Sequence, residues 1–200
     1  MKEAIQHLRQ GDPILSEIID RVGEYRIQFR DPHFETLVRS IVNQQLSGKV
    51  ASVIFGRLAH ATQGRLTPES VLKLRPARMR ALGLSAQKTN YIRDLARLTR
   101  DGRVVFEELA DLPDDAVIER LTQVKGIGPW TVHMFLIFAL RRPDVLPTGD
   151  LGIRNAIRKA YSLADLPQPA EVETLALKWR PYCSVASWYL WRSLESDANL

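Results

Sequence analysis

The chain has 200 residues, 45% of them hydrophobic and 26% charged, an ordinary globular composition with enough length to bury a sizeable core, in one domain of one or two lobes. A single cysteine, Cys183, excludes an internal disulfide and any cluster held by four thiolates, and points to an intracellular protein; no stretch reaches the roughly 20 apolar residues of a membrane span, and the mixed-charge N-terminus lacks the apolar core of a signal peptide. The formal net charge of +5 suits a polyanionic partner without requiring one.

Apolar residues recur at helical spacing along nearly the whole chain and strict alternation is almost absent, so the expected fold is all-α. The spacing predicts helices over 2–10, 13–22, 32–45, 48–62, 68–74, 76–81, 86–100, 114–123, 129–140, 151–161, 169–179 and 181–195. Pro13, Pro32, Pro68, Pro76, Pro113, Pro129 and Pro181 stand where first-turn prolines belong, because a first-turn residue has no intrahelical N–H bond to lose. The run Tyr25–Phe29 alternates, but one short run cannot build a sheet. Low-complexity segments and 20–50-residue repeats are absent.

The most informative stretch is LTQVKGIGPWTVHMFLIFAL, residues 121–140. Asp114 or Asp115 is expected to cap the helix before it, with Ala116, Ile118, Leu121 and Val124 as the apolar side. Pro129 opens a second helix, which Trp130, Met134, Phe135, Ile137 and Phe138 make mostly buried. Only Lys125-Gly126-Ile127-Gly128 joins the two, a connection tight enough to need positive φ or close backbone approach, with Ile127 plugging the gap. Two readings fit. One is a helix C-cap followed by a new helix; the other adds an anion site, in which glycine-turn amides at a helix N-terminus converge on a phosphate beside Lys125.

Asp150 precedes LGIRNAIRKA, whose Leu151, Ile153, Ile157 and Tyr161 have helical spacing. It reads as an N-cap, or as a carboxylate that the same helix terminus holds ionised for chemistry. A fixed negative charge beside C1′ of a sugar stabilises the cation that forms when an N-glycosidic bond breaks. His33, His60 and His133 show no metal-ligand spacing with one another or with Cys183.

GIGPWT after an amphipathic helix, followed by DVLPTGDLGIRNAI with Asp150 20 residues beyond Trp130, resembles the helix-hairpin-helix (HhH-GPD) superfamily of DNA glycosylases. The resemblance runs from FETLVRSIVNQQLSGKVAS through LGLSAQKTNYIRDLA to KWRPYCSVASWYLW, and the nearest branch is 3-methyladenine DNA glycosylase II without its N-terminal β domain. It implies a two-lobed helical fold with an interlobe cleft: lobe one about 1–23 plus 141–200, lobe two about 24–140 including the hairpin 114–140. The implied activity is excision of alkylated purines, of the 3-methyladenine or 7-methylguanine type, from double-stranded DNA by base flipping.

Residue by residue, the resemblance makes Asp150 the catalytic carboxylate. Gln45, Leu46, Ser47, Lys125, Gly126, Gly128, Trp130 and Thr131 are expected to contact DNA, with Gln45 preferred over Leu46 as the wedge that fills the vacated stack. Trp130, Met134, Trp191 and Phe34 are expected to line the base pocket, where electron-rich rings suit an electron-poor alkylpurine. The carbonyls of Thr122, Val124 and Ile127 are candidates for a monovalent Na⁺ or K⁺; no other cofactor is expected. Relatives that also cut the strand carry a lysine nucleophile where this chain has Trp130, and an indole cannot form a Schiff base, so a monofunctional enzyme is expected.

The chain departs from the pattern at Met134, aromatic in some relatives, at Gly149, where an acidic residue is common, and at Lys125, where proline is common. A monomer working in the cytoplasm on the nucleoid, or in a nucleus, is the corresponding expectation. Two alternatives stay open on sequence: a non-catalytic helix-hairpin-helix DNA-binding module, and a glycosylase of the same fold for mismatched or deaminated bases.

Overall fold

The computed structural model describes residues 1–197, all of whose regular structure is helical. In chain order the helices are α1 (Lys2–Gly11), α2 (Pro13–Val22), α3 (Phe34–Asn43), α4 (Gly48–Ala61), α5 (Pro68–Lys73), α6 (Pro76–Ala81), α7 (Ala86–Arg100), α8 (Asp114–Thr122), α9 (Pro129–Phe138), α10 (Leu151–Ala160), α11 (Pro169–Ala176) and α12 (Cys183–Asp197). Short 3₁₀ turns occupy Phe106–Glu108 and Leu177–Trp179. Among the described residues no helix is long and apolar enough to cross a membrane.

The chain divides into two compact units, residues 1–29 with 136 onward, and residues 30–135, so the division falls inside α9. In the first unit α12 packs against α2 and α10, and α1 against α2. Leu8, Leu15, Ile153, Ile157, Trp179 and Tyr189 are among the side chains buried there. Each contributes roughly 1.5–3 kcal/mol by leaving water. At its centre Asp12 caps α2 through the amides of Ile14 and Leu15, at 3.1 and 3.2 Å, and also accepts from Trp179 Nε1 at 2.7 Å and the Tyr161 hydroxyl. Lys178 Nζ lies 3.1 Å away. Burial alone would raise the Asp12 pKa, but these donors outweigh it and hold the carboxyl below its usual range.

In the second unit α7 is the hub, packed against α3, α5 and α6. Its Ile92, Leu95 and Ala96 share the interior with Leu37, Ile41 and Leu58. Ser85 caps α7 by accepting from Lys88 N at 3.1 Å, and Thr67 and Ser70 form a capping box at the start of α5.

Several expected boundaries move for local reasons. Pro13, Pro68, Pro76 and Pro129 do open their helices. Pro32 instead lies outside α3, whose N-cap is His33, and Pro181 lies two residues before α12. Pro113 is itself the N-cap of α8, which leaves Asp114 and Asp115 in the first turn rather than at the cap. The buried side of α8 carries Val117, Leu121 and, just beyond it, Val124; Ala116 and Ile118 are only half-buried. The α3 helix stops at Asn43 because Gln45 turns to φ +56°, and the last stretch expected of 169–179 tightens into a 3₁₀ turn.

Candidate active site and DNA-contacting elements

The segment between α9 and α10 delivers Asp150, and it is fastened to the start of α12. Asp144 accepts from the Cys183 amide at 3.2 Å and from Arg180 Nη1 at 2.8 Å. Ser184 donates its hydroxyl to the Arg142 carbonyl at 2.7 Å and accepts from the Val145 amide at 3.0 Å, while its own amide reaches the Pro143 carbonyl at 3.0 Å. These hydrogen bonds secure residues 142–145 before the chain turns into α10.

Asp150 is the N-cap of α10 and is 8% exposed. Its Oδ1 accepts from the Ile153 amide at 2.8 Å and from Trp191 Nε1 at 2.9 Å. The N-cap and functional readings of this residue are therefore one geometry: the same bond that starts the helix fixes the carboxylate beside the positive end of its dipole. Gly152 makes room for the arrangement, since a Cβ there would come within 3.0 Å of Asp150 Oδ1 and 3.1 Å of Trp191 Cδ1. Trp191 is in turn stacked on Phe138, ring centroids 5.9 Å apart and planes 26° from parallel. Sequence reading assigned Trp191 only to the base pocket; its N–H as a carboxylate donor, the clip made by Asp144 and Ser184, and the space left by Gly152 all depend on contacts between distant segments.

The glycine turn of the hairpin lies in the second unit. Ile127 is buried, as expected of a plug. The two glycines differ. Gly126 has φ +82°, and a Cβ on it would come within 2.0 Å of the Tyr91 ring, so both its conformation and its packing exclude a side chain. Gly128 has neither constraint: its Cβ position meets nothing within 4 Å. The Lys125 amide donates to Asp94 Oδ2 at 3.0 Å and the Ile127 amide to the Val124 carbonyl at 3.1 Å, so those two are used inside the turn. Among the described residues the amides of Gly126 and Gly128 take no partner. Within the turn, the amides of Gly126 and Gly128 are therefore the donors not used by the turn itself.

Other expected site residues sort by exposure. Gln45, Leu46 and Ser47 form an exposed turn between α3 and α4, with Ser47 capping α4 through Val50 N at 3.5 Å. Lys125 is exposed. Trp130 is 52% exposed, which corrects its expected burial; it stands in the first turn of α9, at the end of the helix. Met134 is half-buried. Thr131 is 6% exposed, so its side chain offers little surface and any contact it makes falls to its amide. Phe34 does not stand open to a pocket; it is buried and meets Phe106 edge-on at 6.4 Å, and Phe106 meets Phe135 at 6.2 Å.

Among the described residues no group of three or more His, Cys, Asp or Glu could hold a metal ion. Burial lowers the His133 pKa against the opposing charge of Asp114, and burial drives the Cys183 thiol well above its usual pKa, which leaves it unreactive.

One unit thus carries a carboxylate held at a helix N-terminus beside an indole, and the other a glycine turn next to the exposed Trp130. The sequence model of the HhH-GPD superfamily of base excision DNA repair proteins matches residues 38–181. DNA-3-methyladenine glycosylase 1 of Schizosaccharomyces pombe is 38% identical over 194 residues, which is 94% of this chain and 85% of that one. The solved structure of the 3-methyladenine DNA glycosylase of that yeast in complex with abasic DNA superposes with a TM-score of 0.83 at 38% identity, covering 94% of this chain and 95% of that one. The crystal structure of a DNA-3-methyladenine glycosidase from Bacillus halodurans gives a TM-score of 0.87 at 36% identity, covering 96% and 89%. The chain belongs to the HhH-GPD superfamily of base excision DNA repair proteins.

Proposed function

We propose that the chain is a monofunctional DNA glycosylase that hydrolyses the N-glycosidic bond of alkylated purines in double-stranded DNA and leaves an abasic site. The observation that carries the reading is the Asp150 carboxylate, held by the Ile153 amide and the Trp191 indole at the N-terminus of α10. The named relatives, 3-methyladenine glycosylases in both the yeast and the Bacillus case, support the substrate class.

The steps follow from charge. The damaged nucleotide leaves the stack at a cost of a few kcal/mol. Gln45 and Leu46, on an exposed turn, fill the gap, Gln45 by hydrogen bonding to the orphaned base. The turn amides of Gly126 and Gly128, the first-turn amides of α9 and the Lys125 ammonium hold the strand's phosphates, a contact that sets register without reading sequence. Indole faces of Trp130 and Trp191 receive the alkylated base, whose positive charge favours electron-rich rings and makes it a good leaving group without a general acid. As the C1′–N bond breaks, the sugar becomes cationic and Asp150 stabilises it; water adds to C1′ and its proton passes to the same carboxylate or to solvent. Trp130 stands where strand-cutting relatives carry an amine, so no imine forms.

A Na⁺ or K⁺ fits the hairpin chemically, because monovalent cations take neutral carbonyl oxygens and Thr122, Val124 and Ile127 supply three at one turn. Among the described residues the Val124 carbonyl accepts the Ile127 amide alone and keeps a second lone pair. The protein is expected to act as a monomer wherever its DNA lies.

The test is a panel of duplexes, each with one modified base, scored for free base and for strand breaks before and after alkali. Release of 3-methyladenine or 7-methylguanine, with breaks only after alkali, is expected. No release from any duplex leaves a DNA-binding module; release of uracil or mismatched adenine instead of alkylpurines moves the substrate class; breaks without alkali overturn the monofunctional assignment.

A further inference from the structure

The turn carrying Gln45 is tied to the hairpin through one face of α7. Lys88 reaches across to the end of α3, where its Nζ donates to the Val42 carbonyl at 2.8 Å and to the Gln44 carbonyl at 2.6 Å. Gln44 turns the other way, its Nε2 donating to the Gly126 carbonyl at 2.8 Å. One helical step along α7, Tyr91 forms the seat on which Gly126 rests, and one step further Asp94 accepts the Lys125 amide at 3.0 Å. Lys88, Tyr91 and Asp94 recur at a spacing of three, which brings them to one side of the helix. That side touches both elements expected to contact DNA.

Lys88 is an unusual choice for this place. Among the described residues its ammonium meets backbone carbonyls and no carboxylate, and burial lowers its pKa. A half-buried charge without a counter-ion is costly, and a helix end can be satisfied by water or a small polar cap instead. The residue immediately beyond the clasp, Gln45, sits at φ +56°, a conformation disfavoured for any residue with a Cβ and held only when its surroundings impose it.

We propose that Lys88, acting with Gln44, is a positioning residue that holds the Gln45 turn in its strained, outward form and locks it to the hairpin, so that gripping the phosphate backbone and wedging the stack happen as one event. The inference rests on the reading of Gln45 as the wedge. Lys88 touches neither the base nor the sugar; it acts through the turn.

The test compares Lys88→Met, Lys88→Arg, Gln44→Leu and Gln45→Ala with the wild type. Three quantities are read: stopped-flow fluorescence of 2-aminopurine beside a tetrahydrofuran abasic analogue, which reports wedging; single-turnover release of 7-methylguanine; and Kd for undamaged duplex. Lys88→Met and Gln44→Leu are expected to lose most of the fluorescence change and about tenfold in release, with Kd for undamaged duplex within about threefold of wild type. Lys88→Arg, which keeps the donors, is expected to recover at least half of the fluorescence change. If Gln45→Ala loses wedging while Lys88→Met and Gln44→Leu keep both signals, the clasp is irrelevant and the proposal is wrong, though the wedge stands. If Gln45→Ala is silent, the wedge reading fails and takes the proposal with it. Should Lys88→Met not fold, Gln44→Leu, which retains the charge, decides alone.

Discussion

Trp191 illustrates what a single residue can hide. The family resemblance makes it an aromatic wall for a base, and in the structure its indole N–H also donates to Asp150 Oδ1, beside the Ile153 amide. Trp191→Phe keeps a ring against Phe138 and removes the donor. Losing one hydrogen bond to a charged group, worth about 1.5–3 kcal/mol, is expected to slow single-turnover base release by at least tenfold and to lower the melting temperature by several degrees. An unchanged rate would show that the Trp191 donor is not needed to orient the carboxylate. The glycines make a second contrast. Gly126→Ala is expected to destabilise the protein by more than about 2 kcal/mol, because both φ and Tyr91 oppose it, whereas Gly128→Ala is expected to leave the melting temperature within a degree or two and weaken DNA binding several-fold. Equal melting temperatures for the two variants would contradict the division of roles. Lys125→Ala is expected to reduce the slope of log affinity against log salt by about 1.

At the scale of elements, periodicity and proline position made nearly every helix legible, including the hairpin pair α8 and α9. What periodicity missed was fine placement. Val117 faces the core where Ala116 and Ile118 were expected to, since helix phase depends on the packing partner as much as on the pattern. Trp130 is exposed because a first-turn side chain of a buried helix can still overhang its end. The α7 face was unreadable for a different reason: Lys88, Tyr91 and Asp94 look like an ordinary solvated stripe until the segments they hold, 44 and 46 residues before Lys88 and 31 after Asp94, are brought to them. Asp12 likewise shows nothing in the sequence beyond its place before Pro13. In the fold its carboxyl sits below the usual range, so its contribution is present above the unfolded pKa near 4 and is lost as pH falls through the folded value. Asp12→Asn is expected to cost about 2 kcal/mol at pH 7 and to flatten the fall in stability below about pH 4, measured by urea unfolding across pH; a parallel fall in wild type and variant would contradict this.

For the whole molecule, the all-α class, the family and the order of its motifs were readable from residues 34–191, while the division into units falls at 29/30 and 135/136, inside α9 rather than after it. The sequence-legible part of the site is the part that is local, a glycine turn and a helix N-cap; the part it concealed is everything that holds those local features still. The central claim concerns one charge. Asp150→Asn keeps the shape and the N-cap acceptor but removes the negative charge, so single-turnover release of 7-methylguanine from a duplex should fall by at least about 10²-fold, as loss of a preorganised electrostatic group does. Affinity for the same duplex should be unchanged or tighter, since a carboxylate no longer faces phosphate. Release at the wild-type rate by a variant that binds DNA normally would contradict the assignment of Asp150 as the group that stabilises the cationic sugar.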